Sequence, residues 1–317
     1  MSHNPVAFLF PGQGSQSAGM GKELAALYPV ARHTFQEADE ALGSAISQLC
    51  FEGPEEQLKL TENTQPAILT MSTAVTRVLQ EKGIVPQFAA GHSLGEYSAH
   101  VAAGTLPFAD AVRTVRNRGR YMQEAVPVGQ GGMAAILGME VEQLQQVCNE
   151  AAQGEVVSPA NINSPDQIVI SGHQKAVERA ADLAKQRGAK KAVMLVVSAP
   201  FHCSLMQPAQ DRLEKDLNAL RFSNPEVPVI SNIDAAPKTT AEGSRQALVR
   251  QVTEAVQWAK SMQTLIGLGV KTFIEVGPGK VLTGLMRQID RSQTCLNTEN
   301  EAAVQKVENL FAAPAKE

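Results

Sequence analysis

The chain has 317 residues, about two domains' worth at ~150 residues each. Apolar residues make up 44% and charged residues 19%, enough to bury a large core, which excludes a disordered chain. Lys plus Arg number 28 against 32 Asp plus Glu, a net charge of -4, so a surface that follows nucleic acid along its whole length is excluded. The amino terminus has no basic segment ahead of an apolar one. No apolar run reaches the ~18 residues of a membrane helix, and Cys50, Cys148, Cys203 and Cys295 form no C-x-x-C pair and no zinc pattern. The expectation is a cytoplasmic protein with free thiols, no metal and no membrane or nucleic-acid partner.

Short β-rich runs alternate with helical periods, which predicts an α/β fold with a mostly parallel sheet. Val6 to Phe10 reads as a buried strand, followed by a glycine-rich turn and amphipathic segments to Gly83. Among these, Pro66 to Gln80 carries a helical period. Val85 to Ala90 reads as a second strand, with helices starting at Leu94 and spanning Ala109 to Ala125. Pro127, Gly129, Gly131 and Gly132 mark a hinge. Beyond it come strand Ala134–Leu137, helix Val141–Ala152, strands Val156–Asn161 and Gln167–Ser171, helix Lys175–Arg187 and strand Lys191–Val197. That βαββαβ order predicts a ferredoxin-like subdomain over 128–198, inserted into a discontinuous catalytic domain of 1–127 and 199–317. The α/β texture then resumes with a helical period Leu205–Leu220, strand Val227–Asn232, one long helical region Ser244–Leu268, strand Val270–Val276 and a helix through Ile289. The tail after Ser292 is weakly patterned, and its Ala-Pro-Ala-Lys-Glu end is expected to fray.

Gly91-His92-Ser93-Leu94-Gly95 fits G-x-S-x-G between a strand and a helix, the context of a nucleophile elbow. There the Ser93 hydroxyl stands exposed on a strained turn, and the Leu94 N–H at the helix start can donate to a developing oxyanion. The blander reading is a serine that only caps the helix. Of the histidines, His3 lies in the terminus, His33 in a helix, His92 inside the elbow and His100 on the outgoing helix. His173 lies at a subdomain turn. His202 sits in a loop returning from the subdomain, where a rigid scaffold can hold a base for Ser93. No Asp or Glu between Ser93 and His202 makes a convincing third member. Either the acid comes from elsewhere, or a neutral acceptor holds the imidazole.

Pro11-Gly12-Gln13-Gly14-Ser15-Gln16 lacks the spacing of a P-loop or a dinucleotide fingerprint. Its backbone could supply a second oxyanion donor, or the loop could be an ordinary tight turn. Arg113, Arg116, Arg118 and Arg120 share one helical segment, and a solvated cationic face accounts for three of them. Gly119 next to Arg118 breaks the helical composition and suggests close packing; an inward Arg118 would be a fork for a carboxylate.

Together these residues resemble the malonyl-CoA:acyl carrier protein transacylase family. Pro11 to Gln16, Gln65-Pro66-Ala67, the elbow with Glu96, Arg118-Gly119, Phe201-His202 and Glu275-Val276-Gly277-Pro278-Gly279 fall in that family's order from about residue 6 to 290. The resemblance implies an α/β-hydrolase-like core with a ferredoxin-like insert. It also implies Ser93 as nucleophile, His202 as base, the N–H groups of Gln13 and Leu94 as oxyanion hole, and Arg118 as carboxylate clamp. The Gln251 carbonyl becomes the histidine's orienter. One departure is local: Glu254-Ala255 stand where the family has Asn-Pro before Val256-Gln257-Trp258. The implied activity is ping-pong transfer of malonyl from malonyl-CoA to an acyl carrier protein for fatty acid biosynthesis, by a monomer with no cofactor beyond its coenzyme A substrate. Rival readings are a thioesterase, an acyltransferase for branched malonyl units, and a non-catalytic carrier-binding module. Lys185, Arg187, Lys190, Lys191, Lys280 and Arg287 are candidate carrier contacts.

Overall fold

Successive residues of the first strand bury into different cores. Val6, Phe8 and Phe10 face one apolar cluster, while Ala7 and Leu9 face another, so the strand is covered on both sides as a central parallel strand must be. The computed structural model describes residues 5–312; His3 and the terminal Ala-Pro-Ala-Lys-Glu lie outside them. In chain order the strands are β1 (Val6–Phe10), β2 (Phe88–Gly91), β3 (Gly131–Leu137), β4 (Val157–Ser164), β5 (Gln167–His173), β6 (Lys191–Met194), β7 (Val229–Ile230), β8 (Pro237–Lys238), β9 (Thr272–Glu275) and β10 (Thr294–Asn297).

They form two sheets. The six-stranded sheet has the order β10-β9-β1-β2-β7-β8, parallel throughout except for the short β7–β8 pair at its edge. The four-stranded sheet has the order β4-β5-β3-β6 and is antiparallel throughout. Its crossovers are the helices Val141–Ala152 and Gln174–Gln186, giving the expected βαββαβ unit, and it has its own core around Ile136, Leu144, Ile168 and Val177. The architecture is therefore the α/β-hydrolase-like core with a ferredoxin-like unit that the sequence predicts.

Several boundaries differ for physical reasons. Ser244–Leu268 is not one helical region but two helices, Ala241–Arg250 and Trp258–Gly267. Between them Val256 pairs with the edge of β4, donating to the Ala160 carbonyl at 2.9 Å and accepting from the Ile162 N–H at 2.9 Å. This pairing stitches the small sheet to the main domain, and Val256 stays buried through it, so apolar periodicity does not reveal the break. The tail after Ser292 carries regular structure: β10 adds a parallel strand, and the helix Glu301–Phe311 is capped by Asn300 and buries Val304 and Val307. The last strand of the small sheet stops at Met194, where Leu195 gives a final N–H to the Met133 carbonyl at 2.9 Å. The hinge glycines Gly131 and Gly132 already belong to β3, paired with His173 and Gly172, and they are glycines where Pro200 and Gln174 leave no room for a side chain. The helical period at Leu205 opens as a 3-10 turn, Ser204–Met206, before the α-helix Gln207–Ala219. No described helix is long and apolar enough to cross a membrane.

Candidate active site

The elbow is a packing solution before it is a chemical one. A side chain on Gly91 would run into the backbone of Gly95 and Glu96, and one on Gly95 would run into the carbonyl of Phe10. Glycine at both positions lets the helix Gly95–Ala102 cross close above β2 and β1. Gly12 meets the same constraint from the other side, since its Cβ would sit 2.5 Å from the His92 carbonyl oxygen. The first glycine loop and the elbow therefore touch. Ser93 lies between them at φ 50°, a left-handed conformation that costs a non-glycine residue ~1–3 kcal/mol unless its surroundings hold it. Asn232, just beyond β7, supplies that hold: its Oδ1 accepts the Ser93 N–H at 2.7 Å and its Nδ2 donates to the Gly91 carbonyl at 2.6 Å.

Ser93 Oγ lies 2.7 Å from Nε2 of His202, and Nδ1 of His202 lies 2.9 Å from the Gln251 carbonyl oxygen. A carbonyl can only accept, so Nδ1 carries the proton and Nε2 is left as the acceptor facing the serine. Burial, then the nearby Arg118 charge, pushes the His202 pKa down to about 3. The imidazole is thus neutral at physiological pH and free to take a proton. Of the two arrangements open from sequence, the structure has the neutral acceptor. The departure at Glu254-Ala255 leaves it in place: Glu254 pairs with Arg250 at 2.8 Å, and the loop is anchored through Val256 to β4.

Leu94 begins the helix Gly95–Ala102, and Gln13 lies in the loop that Gly12 presses against the elbow. Among the described residues, neither backbone N–H has a backbone acceptor. Both residues line a cleft that also includes Ser93, His202, Gln65, Arg118, Met133, Asn161 and Phe201.

Arg118 separates from its neighbours on the helix Phe108–Glu124. Arg113 and Arg120 are exposed and Arg116 is half-buried, whereas Arg118 is 1% exposed. Gly119 permits this, because a Cβ there would sit 2.5 Å from the Thr61 carbonyl of the adjoining helix. The guanidinium donates from Nη1 to Gln65 Oε1 at 2.8 Å and from Nη2 to Gln251 Oε1 at 2.9 Å. Nη2 also reaches Ser93 Oγ at 3.2 Å, while Nε has no partner. Among the described residues no carboxylate forms an ion pair with it. Burial lowers its pKa, against the pull of Tyr97 and Glu96. A buried cation held by neutral groups, beside a nucleophile and on the wall of the same cleft, suits an incoming anion.

Gln65, Asn232 and Glu96 were not assigned roles from sequence. Asn232 stands just past the carboxyl end of a parallel strand, where α/β sheets gather their sites, and that position is the signal that could have found it. His92 is tied to the small sheet by Nε2 to Asn163 Oδ1 at 2.8 Å, and His173 accepts the Val156 N–H. The cationic candidates are mostly neutralised. Lys185 pairs with Asp182, Arg187 with Glu150, Lys190 with Asp166 and Lys280 with Glu299.

Residues 7–309 match the acyl transferase domain family, and the chain belongs to that family. Within it, the malonyl CoA-acyl carrier protein transacylase of Salmonella typhimurium is 52% identical over 299 residues, covering 94% of this chain and 97% of its own. The corresponding protein of Bacillus subtilis is 54% identical over 287 residues, covering 90% of each. A solved transacylase of the same name from Coxiella burnetii superposes with a TM-score of 0.95 at 45% identity, covering 98% of both chains. A malonyl-transacylase solved in complex with a type II acyl-carrier protein gives 0.94 at 46% identity, covering 96% of this chain and 99% of that one. The chain is an acyltransferase.

Proposed function

We infer that this protein transfers the malonyl group of malonyl-CoA to the phosphopantetheine thiol of an acyl carrier protein, through a malonyl ester on Ser93. His202 Nε2 takes the Ser93 proton as Oγ attacks the thioester carbonyl. The N–H groups of Gln13 and Leu94 receive the oxyanion, and His202 returns the proton to the departing coenzyme A thiol. In the second half-reaction the carrier thiol gives its proton to His202 and attacks the ester, and His202 passes that proton to the departing Ser93 Oγ, regenerating the free serine. Arg118 holds the distal carboxylate throughout, and Gln251 fixes the His202 tautomer through its carbonyl.

The observation that carries this reading is the buried Arg118, bonded only to neutral groups, 3.2 Å from the same hydroxyl that meets the base. Burying a malonyl carboxylate without such a cation would cost several kcal/mol, and a plain hydrolase for neutral acyl groups has no use for one. Every group named comes from one chain, so the reaction needs no second subunit. It also needs no cofactor beyond the coenzyme A thioester, whose acyl carbon is already activated. Coenzyme A thioesters and carrier proteins are shared in the cytoplasm, where we place the reaction.

Intact-mass spectrometry tests it. Incubation with malonyl-CoA should add one malonyl group to the wild type and none to Ser93→Ala, and the adduct should clear only when holo-carrier is supplied. An adduct on Ser93→Ala would reassign the nucleophile. Rapid release of free malonate without an acceptor would make the protein a thioesterase.

A further inference from the structure

We propose that Glu96 is a positioning residue for malonyl selectivity: through the side-chain amide of Gln251 it holds the Arg118 guanidinium aligned with Ser93. The proposal rests on the roles of Ser93 and Arg118 given above.

Glu96 is wholly buried in the first turn of the helix that follows the elbow. It takes no part in the transfer chemistry, and it lies too far along the web to touch the acyl group. Its Oε2 accepts from Gln251 Nε2 at 2.7 Å and from the Asn232 N–H at 3.1 Å. Gln251 Nε2 also donates to the Ser93 carbonyl at 2.9 Å, so both of its hydrogens are committed on that side. The opposite end of the amide, Oε1, is then obliged to face Arg118, where it accepts from Nη2 at 2.9 Å. An amide is two-sided, and a flipped Gln251 would present N–H groups to a guanidinium that has no lone pair to receive them. The acceptor at Glu96, at the end of the shorter of these two Nε2 bonds, adds to the Ser93 carbonyl in opposing that flip.

The spacing has its own logic. Were Glu96 to pair directly with Arg118, a bidentate ion pair would occupy the donors that a substrate carboxylate needs. One interposed amide leaves the cation fixed by the neutral oxygens of Gln65 and Gln251 and without a carboxylate partner among the described residues. The sequence offers no acid adjacent to His202, and the acid of this site works at one remove, on the clamp. The His202 orienter is the backbone carbonyl of the same Gln251, so changes confined to the side-chain amide leave the base's own hydrogen bond intact.

The test compares kcat/KM for malonyl-CoA and acetyl-CoA, read as their ratio, in wild type, Arg118→Ala, Glu96→Ala, Glu96→Gln and Gln251→Met. Losing one hydrogen bond to a charged group corresponds to roughly 10- to 100-fold, so Glu96→Ala should lower the malonyl-to-acetyl ratio by about that much. Glu96→Gln keeps an acceptor oxygen where Oε2 stands, and its amide nitrogen takes the place of the unpartnered Oε1; it should restore the ratio. Gln251→Met keeps the backbone carbonyl and removes the amide, and should reproduce the Glu96→Ala loss even if Glu96→Ala does not fold. A wild-type ratio in Gln251→Met, or equal losses on both donors in Glu96→Ala, would overturn the inference. So would a Glu96→Gln variant as impaired as Glu96→Ala. If Arg118→Ala itself lowers both donors alike, the clamp reading fails and this inference falls with it. If Arg118→Ala is donor-selective and the Glu96 and Gln251 variants are not, only this inference fails.

Discussion

Arg118→Ala should invert the preference between malonyl and acetyl donors instead of slowing both. Arg118 lines the cleft, and its planar guanidinium, whose Nη2 reaches Ser93 Oγ at 3.2 Å, can fork onto a carboxylate with two N–H groups. Two charge-assisted hydrogen bonds at about 1.5–3 kcal/mol each come to about 3–6 kcal/mol, or roughly 10²–10⁴ in malonyl transfer. The variant also leaves the side-chain oxygens of Gln65 and Gln251 without their donor. That cost falls on the enzyme with either donor and cancels in the ratio, which is why the ratio is the quantity to measure. Acetyl-CoA has no carboxylate to strand, so its kcat/KM should hold or rise. Arg118→Lys should recover only part of the malonyl activity, because a point charge cannot bond both oxygens in one plane. Initial rates with both donors, at one carrier concentration and one ionic strength, decide it. Equal losses in Arg118→Ala would mean that the residue braces the cleft and does not read the substrate.

The base carries a pH prediction. With its pKa pushed down to about 3 by burial and by Arg118, His202 stays in its reactive neutral form as pH falls, and loses it only on approach to that value. Single-turnover acylation should therefore show no acid limb centred near the free imidazole value of ~6.5, and a limb there would mean that the ring is solvated in the working enzyme. The closing motif carries a stability prediction. Glu275 is buried below Gly277-Pro278-Gly279 and caps the helix Val281–Ile289, accepting from the Leu282 N–H at 3.0 Å and from the Thr283 N–H at 2.7 Å. Glu275→Ala should cost about 1–3 kcal/mol in a urea melt while leaving acylation by the folded fraction unchanged; a normal melt would leave the cap without energetic weight.

What could be read along the chain and what could not divide by how far apart the cooperating residues lie. The elbow is legible because Gly91 meets Gly95 and Glu96 within a few residues, whereas Gly12 and Gly119 show only as glycines in unusual places, the backbone each accommodates, at His92 and Thr61, lying far along the chain. The ferredoxin-like unit is legible for a similar reason, since its alternation of strand and helix periods is local. The break between Arg250 and Trp258 is not, because its cause is a pairing between Val256 and β4, nearly a hundred residues earlier in the chain. The polar web under the nucleophile is the extreme case. Asn232 meets Glu96 across 136 residues, and Gln251 meets Glu96 across 155. No spacing rule reaches over such separations, and only the parallel sheet, by delivering the ends of β2 and β7 to one edge, makes these residues neighbours. Gln251 is accordingly reached by family resemblance and not by pattern, and Glu96, a lone acid in the first turn of a helix, resembles any residue that favours a helix N-terminus. The elbow serine is thus written in local strain, whereas its histidine partner, 109 residues away, and the proposed reading of the donor carboxylate are written in topology. On the proposed positioning role, a substitution outside the G-x-S-x-G letters, such as Glu96→Ala, should still change which donor the enzyme accepts.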